Sequence, residues 1–147
     1  MWGRMLRGAG ALGLTWGLAW ATIGALVEGF LAVTAHQSFG DALVQVTNWA
    51  AEGAVSGICF AALFALKERG HSVDTLRVSR VVAWGSVATI VSTGVALVGL
   101  YVMLPGPVLV RDIAANLAAG AVFGGACGLG TIILSKRGSR RAGVAAA

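Results

Sequence analysis

The stretch VVAWGSVATIVSTGVALVGLYVM, residues 81–103, contains no charged side chain. It is long enough to cross the hydrocarbon core of a bilayer, which takes about 20 mainly apolar residues in a helix. Three other runs are also long and mainly apolar. The only charged residues that lie well inside them are Glu28 and Glu52. We therefore predict four transmembrane helices, at residues 11–33, 45–66, 81–103 and 112–134.

The overall composition favours a membrane protein over a soluble one. Hydrophobic residues make up 57% of the 147 residues, charged residues make up 12%, and the mean hydropathy is +0.82. Soluble domains usually carry about 25% charged residues. The alternative, a soluble helical bundle, requires a polar outer face on each helix, and none of the four runs has one. The predicted fold class is an all-α integral membrane protein, with one four-helix membrane domain over residues 1–147.

The basic residues predict how the four spans are oriented. Arg111 alone lies on one side, whereas ten of the 11 Lys and Arg residues fall on the other. These ten are Arg4, Arg7, Lys67, Arg69, Arg77, Arg80, Lys136, Arg137, Arg140 and Arg141. By the positive-inside rule, we expect a multi-pass protein of the cell inner membrane with both termini cytoplasmic.

The same distribution explains the net charge of +5. It reflects topology and attraction to anionic lipid headgroups, so we expect the lipid bilayer, and no nucleic acid, as a partner. The basic segment 135–147 is expected to form a flexible C-terminal tail. An alternative interpretation of the N-terminus is a signal peptide cleaved near Val33-Thr34-Ala35. The apolar part of a signal peptide usually has about 7–15 residues, and this run is longer, so we favour a retained span.

Part of the sequence occurs twice, once in each half of the chain. Gly53-Ala54-Val55-x-Gly57 matches Gly120-Ala121-Val122-x-Gly124, and at the same offset Ala21-Thr22-Ile23 matches Ala88-Thr89-Ile90 without a gap. We interpret this as a tandem repeat of two hairpins, with units at residues 8–70 and 75–137. Because each unit contains an even number of spans, the two hairpins would have the same orientation, as in parallel repeats.

Small residues recur at four-residue spacing within the spans, in the pattern of a glycine zipper. In a membrane, such residues allow two helix backbones to approach closely. This spacing indicates packing and not chemistry. The predicted helix-packing residues are Gly13, Gly17, Gly53, Gly57, Ala61, Gly120, Gly124 and Gly128.

Two glutamates lie well inside predicted spans, where a charged side chain is costly. Glu28 and Glu52 fall at similar depth on one predicted hairpin, so we expect them to lie close together and to share a proton or a polar partner. Arg111, beside Asp112, is the expected cation. These four residues are our candidates for ion or proton binding. The alternative is that each glutamate simply pairs or hydrogen-bonds in a partly hydrated part of the span.

Other reactive residues form no recognisable site. Cys59 and Cys127 fall in the middle of spans and are interpreted as small apolar filler. His36 and His71 lack partners at the spacing of metal ligands. The sequence therefore predicts no catalytic residue, no metal and no cofactor, and we expect the protein not to be an enzyme.

Two resemblances to known families concern parts of the chain. Four short spans with a glutamate in the first one, here Glu28, superficially resemble the small multidrug-resistance transporters. The glycine-zipper helices, together with the basic loop KERGHSVDTLRVSR at residues 67–80 and the following VVAWGSVATI, are similar to uncharacterised small bacterial polytopic membrane proteins. That second resemblance implies no activity.

Two functions follow as expectations. The first is a non-enzymatic accessory or scaffold subunit, which associates with itself as a homo-oligomer or packs within a larger membrane complex. The second is a proton- or ion-coupled small transporter or channel that uses Glu28 and Glu52. A transporter requires water access to the two carboxyl groups, whereas a scaffold requires a packed interior and an exposed face of small residues.

Overall fold

The computed structural model describes the backbone of residues 2–68, 75–103 and 110–145, and this backbone forms four long helices. They are α1 (Trp2–Thr34), α2 (Phe39–Lys67), α3 (Val78–Met103) and α4 (Val110–Ala145). Among the described residues, four helical segments are long and apolar enough to cross a membrane: Leu6–Thr34, Phe39–Lys67, Val78–Gly99 and Ile113–Gly138. The structure thus confirms the predicted all-helical architecture with four potential membrane spans.

The helices are longer than the predicted spans. Helix α1 begins at Trp2 and α4 continues to Ala145, through most of the segment 135–147 that we expected to be a flexible tail. Hydropathy detects only the part of a helix that lipid can surround. Lys, Arg and Ala are good helix formers, so a basic segment can continue a helix beyond its apolar part.

Some residues that the sequence analysis named lie outside the described residues. Arg69 and His71 fall in residues 69–74, and the side chains of Arg4, Asp112, Arg140 and Arg141 are also outside the described part. The expectations about these side chains remain predictions.

The chain divides into two compact units, Met1–Ala62 and Leu63–Ala147. Unit 1 contains α1 and most of α2. Unit 2 contains the last residues of α2 together with α3 and α4. Large apolar side chains are exposed in both units, for example Leu14 and Val122, as expected for helices that face lipid hydrocarbon.

In unit 1, glycines allow α1 and α2 to pack closely. A methyl group on Gly53 would lie 2.6 Å from Cβ of Trp20 and 2.8 Å from the carbonyl oxygen of Trp16. One on Gly57 would lie 2.7 Å from the Leu12 carbonyl oxygen. Trp16 is buried and stacks on Phe60, with ring centroids 5.0 Å apart. The core of unit 1 is therefore formed by large aromatic rings that lie against glycine backbone.

The α1 side of this contact also uses small residues. A methyl group on Gly13 would lie 2.9 Å from Cγ1 of Ile58, and one on Gly17 would lie 3.1 Å from the carbonyl oxygen of Ala50. Ala61, one turn beyond Gly57 on α2, is half-buried.

In unit 2, α3 and α4 approach each other through glycine on both sides. A methyl group on either Gly85 or Gly124 would collide with the backbone oxygen of the other residue, and one on Gly128 would lie 2.8 Å from the Val81 carbonyl oxygen. Gly120 faces Thr89, whose Cγ2 would lie 3.1 Å from such a methyl group. Small side chains are thus required wherever the two backbones cross.

Candidate functional site

Glu28 is the buried carboxylate of unit 1, with 7% of the residue exposed. It lies less than two turns before the end of α1. Its Oε1 accepts a hydrogen bond from Nε1 of Trp49 (3.3 Å), and its Oε2 accepts one from Nε2 of Gln37 (3.1 Å). Both donors are neutral, so these two bonds hold the carboxyl group without the charge of a cation.

The position of Trp49 depends on a glycine one turn before Glu28. Residues four apart lie on the same face of a helix, so Gly24 and Glu28 face α2 together. A methyl group on Gly24 would lie 2.6 Å from Cγ of Trp49. The missing side chain at Gly24 therefore leaves space for the indole, which then reaches the carboxylate.

Gln37 reaches Glu28 because of the turn between α1 and α2. His36 has a φ of 55°, in the left-handed region that non-glycine residues seldom adopt. Ser38 begins the next helix as its N-cap: its Oγ accepts a hydrogen bond from the Asp41 N–H (3.1 Å) and donates one to Asp41 Oδ2 (2.7 Å). The reversal at His36 and the cap at Ser38 fix Gln37 between them.

Aromatic rings continue the site toward the middle of unit 1. Trp20, two turns before Glu28 on α1, is buried, and its ring lies 5.9 Å from that of Trp49 at a tilt of 49°. The carboxyl group of Glu28 thus lies at one end of a packed aromatic cluster, with the turn at residues 35–38 on its other side.

The other candidate residues lie in different places. Glu52 is half-buried on α2, three residues after Trp49, and Arg111 is exposed in the first turn of α4, within unit 2. The expected sharing of a proton between Glu28 and Glu52, and the expected role of Arg111 as their cation, remain predictions.

A second buried carboxylate, Glu68, was not identified from the sequence. Its side chain is 3% exposed, and it accepts hydrogen bonds from Nε1 of Trp84 (3.1 Å) and Nη1 of Arg80 (3.3 Å), the latter also an ion pair. Glu68 follows the last residue of α2 within a charged loop, where a glutamate is normally solvated. The available signal was the spacing of Arg80 and Trp84, which places two donors on the same face of α3.

The described residues form four helices that are long and apolar enough to cross a membrane, and two buried carboxylates accept hydrogen bonds from tryptophan. No family model matches the chain, and neither a curated protein nor a solved structure matches it at a significant level. The described residues include no group of three or more His, Cys, Asp or Glu side chains that could hold a metal ion. The function must therefore be argued from the geometry of this chain.

Proposed function

We propose that the protein is a non-enzymatic accessory or scaffold subunit, which associates through its transmembrane helices with a second copy or with a larger membrane complex. The observation that carries this proposal is a shallow groove of about 410 Å³ between α3 and α4. Ala121, Gly125 and Ala126 are the small residues of its lining. The Ser86 hydroxyl donates a hydrogen bond to the Ala121 carbonyl oxygen (2.8 Å). Val82, Val122 and Leu129 complete the lining. An apolar groove that contains small residues suits the ridge of another apolar helix.

The test is to fill the groove with a large side chain. We expect Ala126→Phe to abolish self-association, or co-purification with a native partner, in mild detergent. Ala96→Phe on α3 is the matched control, because Ala96 is also exposed but does not line the groove. Native mass spectrometry measures both outcomes. A wild-type protein that is monomeric and purifies alone would contradict the proposal, as would equal association of the two variants.

The bonding of Glu28 supports a structural role for this carboxylate. Each of its oxygens accepts a hydrogen bond from a neutral side chain of the same hairpin. Such bonds satisfy a buried polar group, and they stabilise the contact between α1 and α2. A scaffold requires such a packed interior.

The second candidate function is a proton- or ion-coupled transporter or channel using Glu28 and Glu52. It is favoured by the burial of Glu28 within a potential span, since ionisable residues in that position are often functional. Reconstituted vesicles distinguish the two proposals: Glu28→Gln removes the exchangeable proton and would abolish pH-driven transport, whereas it would leave the association of a scaffold unchanged.

We also propose a location in the cell inner membrane with both termini cytoplasmic, which is supported by the ten-to-one division of basic residues. Single cysteines test this in a chain with Cys59 and Cys127 replaced by Ala. Gly40→Cys and Arg111→Cys should react in intact cells with a membrane-impermeant reagent, and Thr75→Cys and Gly138→Cys should not. All four positions are exposed, so labelling at position 75 would reject this orientation.

The tandem repeat remains part of the proposal, with a changed register. Gly53 lies against Trp16 and Trp20, and its counterpart Gly120 lies against Thr89 and Thr93. The same gapless match would make Ala83 the counterpart of Trp16. The residue that contacts Gly120 is instead Thr89. The gapless match of helix 1 to helix 3 therefore does not describe these contacts.

The same change of register appears one turn further along. Gly57 lies against Leu12, and its counterpart Gly124 lies against Gly85, where the gapless match would place Ser79. A duplication in which the segment between the paired positions is shorter in the second hairpin accounts for both differences. In this alignment the counterpart of Glu28 is position 101 instead of 95, so the buried carboxylate still belongs to the first unit alone.

A further inference from the structure

Three segments of unit 2 bring basic side chains to one end of that unit. Glu68, just after α2, binds Arg80 and Trp84 in the first turns of α3. Lys136 in the later part of α4 donates from Nζ to the carbonyl oxygen of Leu76, at 3.3 Å. These bonds fix the start of α3 beside the end of α2 and beside α4.

The described side chains at this end are mostly cationic. Glu68 is the carboxylate among them, and it is buried and already bonded. Arg80 binds it through one nitrogen, while 54% of the Arg80 side chain remains exposed. The cations of this cluster are Lys67, Arg77, Arg80, Lys136 and Arg137. The surface potential here is therefore positive, and an anion would relieve the repulsion among the cations.

Exposed apolar side chains directly border the cluster. Leu66 precedes Lys67 and is 59% exposed, and Leu134, two residues before Lys136, is 62% exposed. Both leucines lie near the ends of potential membrane spans, so the cations lie where the hydrocarbon-facing part of the helices ends. A nucleic acid or an acidic protein would match the cations alone. A molecule with an anionic head and hydrocarbon chains satisfies both kinds of surface at once.

We propose that this cluster binds the phosphate of an anionic phospholipid, whose acyl chains lie along Leu66 and Leu134. Arg77 and Arg137, both exposed, present guanidinium groups that match the oxygens of a phosphate in pairs. Glu68 binds Arg80 through one nitrogen, which keeps this third guanidinium within the cluster while much of it stays exposed. The proposal is independent of the association of α3 and α4 with a partner.

The test measures the affinity of the purified full-length protein for phosphatidylglycerol in a neutral detergent by native mass spectrometry, with phosphatidylcholine as the zwitterionic comparison. Phosphatidylglycerol should bind more tightly. Arg77→Gln combined with Arg137→Gln should weaken its binding by about thirty-fold, at the usual contribution of a basic residue to anionic-lipid binding. The matched control, Arg7→Gln combined with Arg111→Gln, removes the same charge elsewhere and should change affinity by less than about three-fold.

Three results would overturn the proposal: equal binding of the two lipids, equal losses in the test and control variants, or displacement of phosphatidylglycerol by inorganic phosphate at matched ionic strength. The last result would assign the cluster to a soluble anion. Arg77→Lys with Arg137→Lys keeps the charges but loses the paired hydrogen bonds, and should restore part of the affinity. If the double Gln variant does not fold, Arg77→Gln alone tests the proposal, and its affinity for phosphatidylglycerol should fall by about five-fold.

Discussion

Nε1 of Trp49 donates a hydrogen bond to Oε1 of Glu28, across 3.3 Å and between two helices that are adjacent in sequence. The bond joins α2 to α1 near the turn that connects them. Gln37 donates a second hydrogen bond, to the other oxygen of the same carboxylate. A buried acidic side chain thus stabilises the hairpin, provided that each of its oxygens retains a donor.

Two substitutions of Glu28 distinguish the contribution of its hydrogen bonds to stability from the contribution of its charge. In Glu28→Gln, the new amide oxygen can accept from Trp49, and its NH2 can donate to Gln37 once that amide rotates. We expect a loss in the free energy of unfolding below about 1 kcal/mol. Glu28→Ala leaves the Trp49 indole N–H without its acceptor and should cost about 1–3 kcal/mol. Unfolding by SDS titration measures both values, and equal losses would show that the charge itself is what matters.

Gly24 provides a sharper test of the same contact. Gly24→Ala should displace Trp49, because the added methyl group would lie 2.6 Å from its Cγ. We expect a destabilisation of about 1–3 kcal/mol, as for other overpacked sites, and a shift in tryptophan fluorescence.

Gly29→Ala is the matched control for Gly24→Ala. It lies on the same helix, and nothing within 4 Å meets an added methyl group. Because alanine has the higher helix propensity, this change should be neutral or stabilising by up to about 1 kcal/mol. Equal effects of the two substitutions would mean that Trp49 moves aside freely and does not hold Glu28.

These residues also show what the sequence can and cannot predict. The four helices were predictable because long uncharged runs such as 81–103 have no other stable environment than lipid or a buried core. The position of Glu28 inside a span was predictable from the long apolar run around it. The partners of Glu28 were not predictable. Trp49 has the position of an interfacial anchor in the sequence. Gln37 comes close because His36 adopts a left-handed conformation, and that conformation depends on how the two helices pack.

The contact register was a further limit of the sequence. The recurrence of Gly-Ala-Val-x-Gly identified the glycines of α2 and α4, but a pattern of identities does not give the position on the partner helix. The pairing of Gly53 with Trp16, and of Gly120 with Thr89, depends on the lengths of the two connections and on side-chain size. Glu68 was missed for a related reason, since its burial depends on donors from α3.

In unit 2, Gly124→Ala should weaken the packing of α3 on α4. The added methyl group would collide with the Gly85 carbonyl oxygen and with Thr89, and backbone atoms cannot move aside cheaply. We expect a loss of about 1–3 kcal/mol in the free energy of unfolding. Gly130→Ala on the same helix meets nothing within 4 Å and should be tolerated. Thermal unfolding in detergent compares the two variants, and similar midpoints would show that the crossing of α3 and α4 does not limit stability.

The two buried carboxylates should differ in how they tolerate an amide. Both accept a bond from a tryptophan indole, but the second partner of Glu68 is the guanidinium of Arg80, which can only donate. In Glu68→Gln, therefore, one donor must face the new NH2 group, and no rotation of a neighbouring amide relieves the conflict.

We expect Glu68→Gln to cost about 1 kcal/mol more than Glu28→Gln. This difference is small for the loss of a hydrogen bond to a charged group, because Arg80 is half-exposed and can turn to water. Chemical unfolding of the two variants under the same conditions gives the comparison. Trp84→Phe removes the competing indole donor, so the new amide can then turn its oxygen to Arg80, and Glu68→Gln should cost less in that background. If the cost is unchanged there, the loss in Glu68→Gln comes from the ion pair with Arg80 alone, and the indole contributes nothing to holding Glu68.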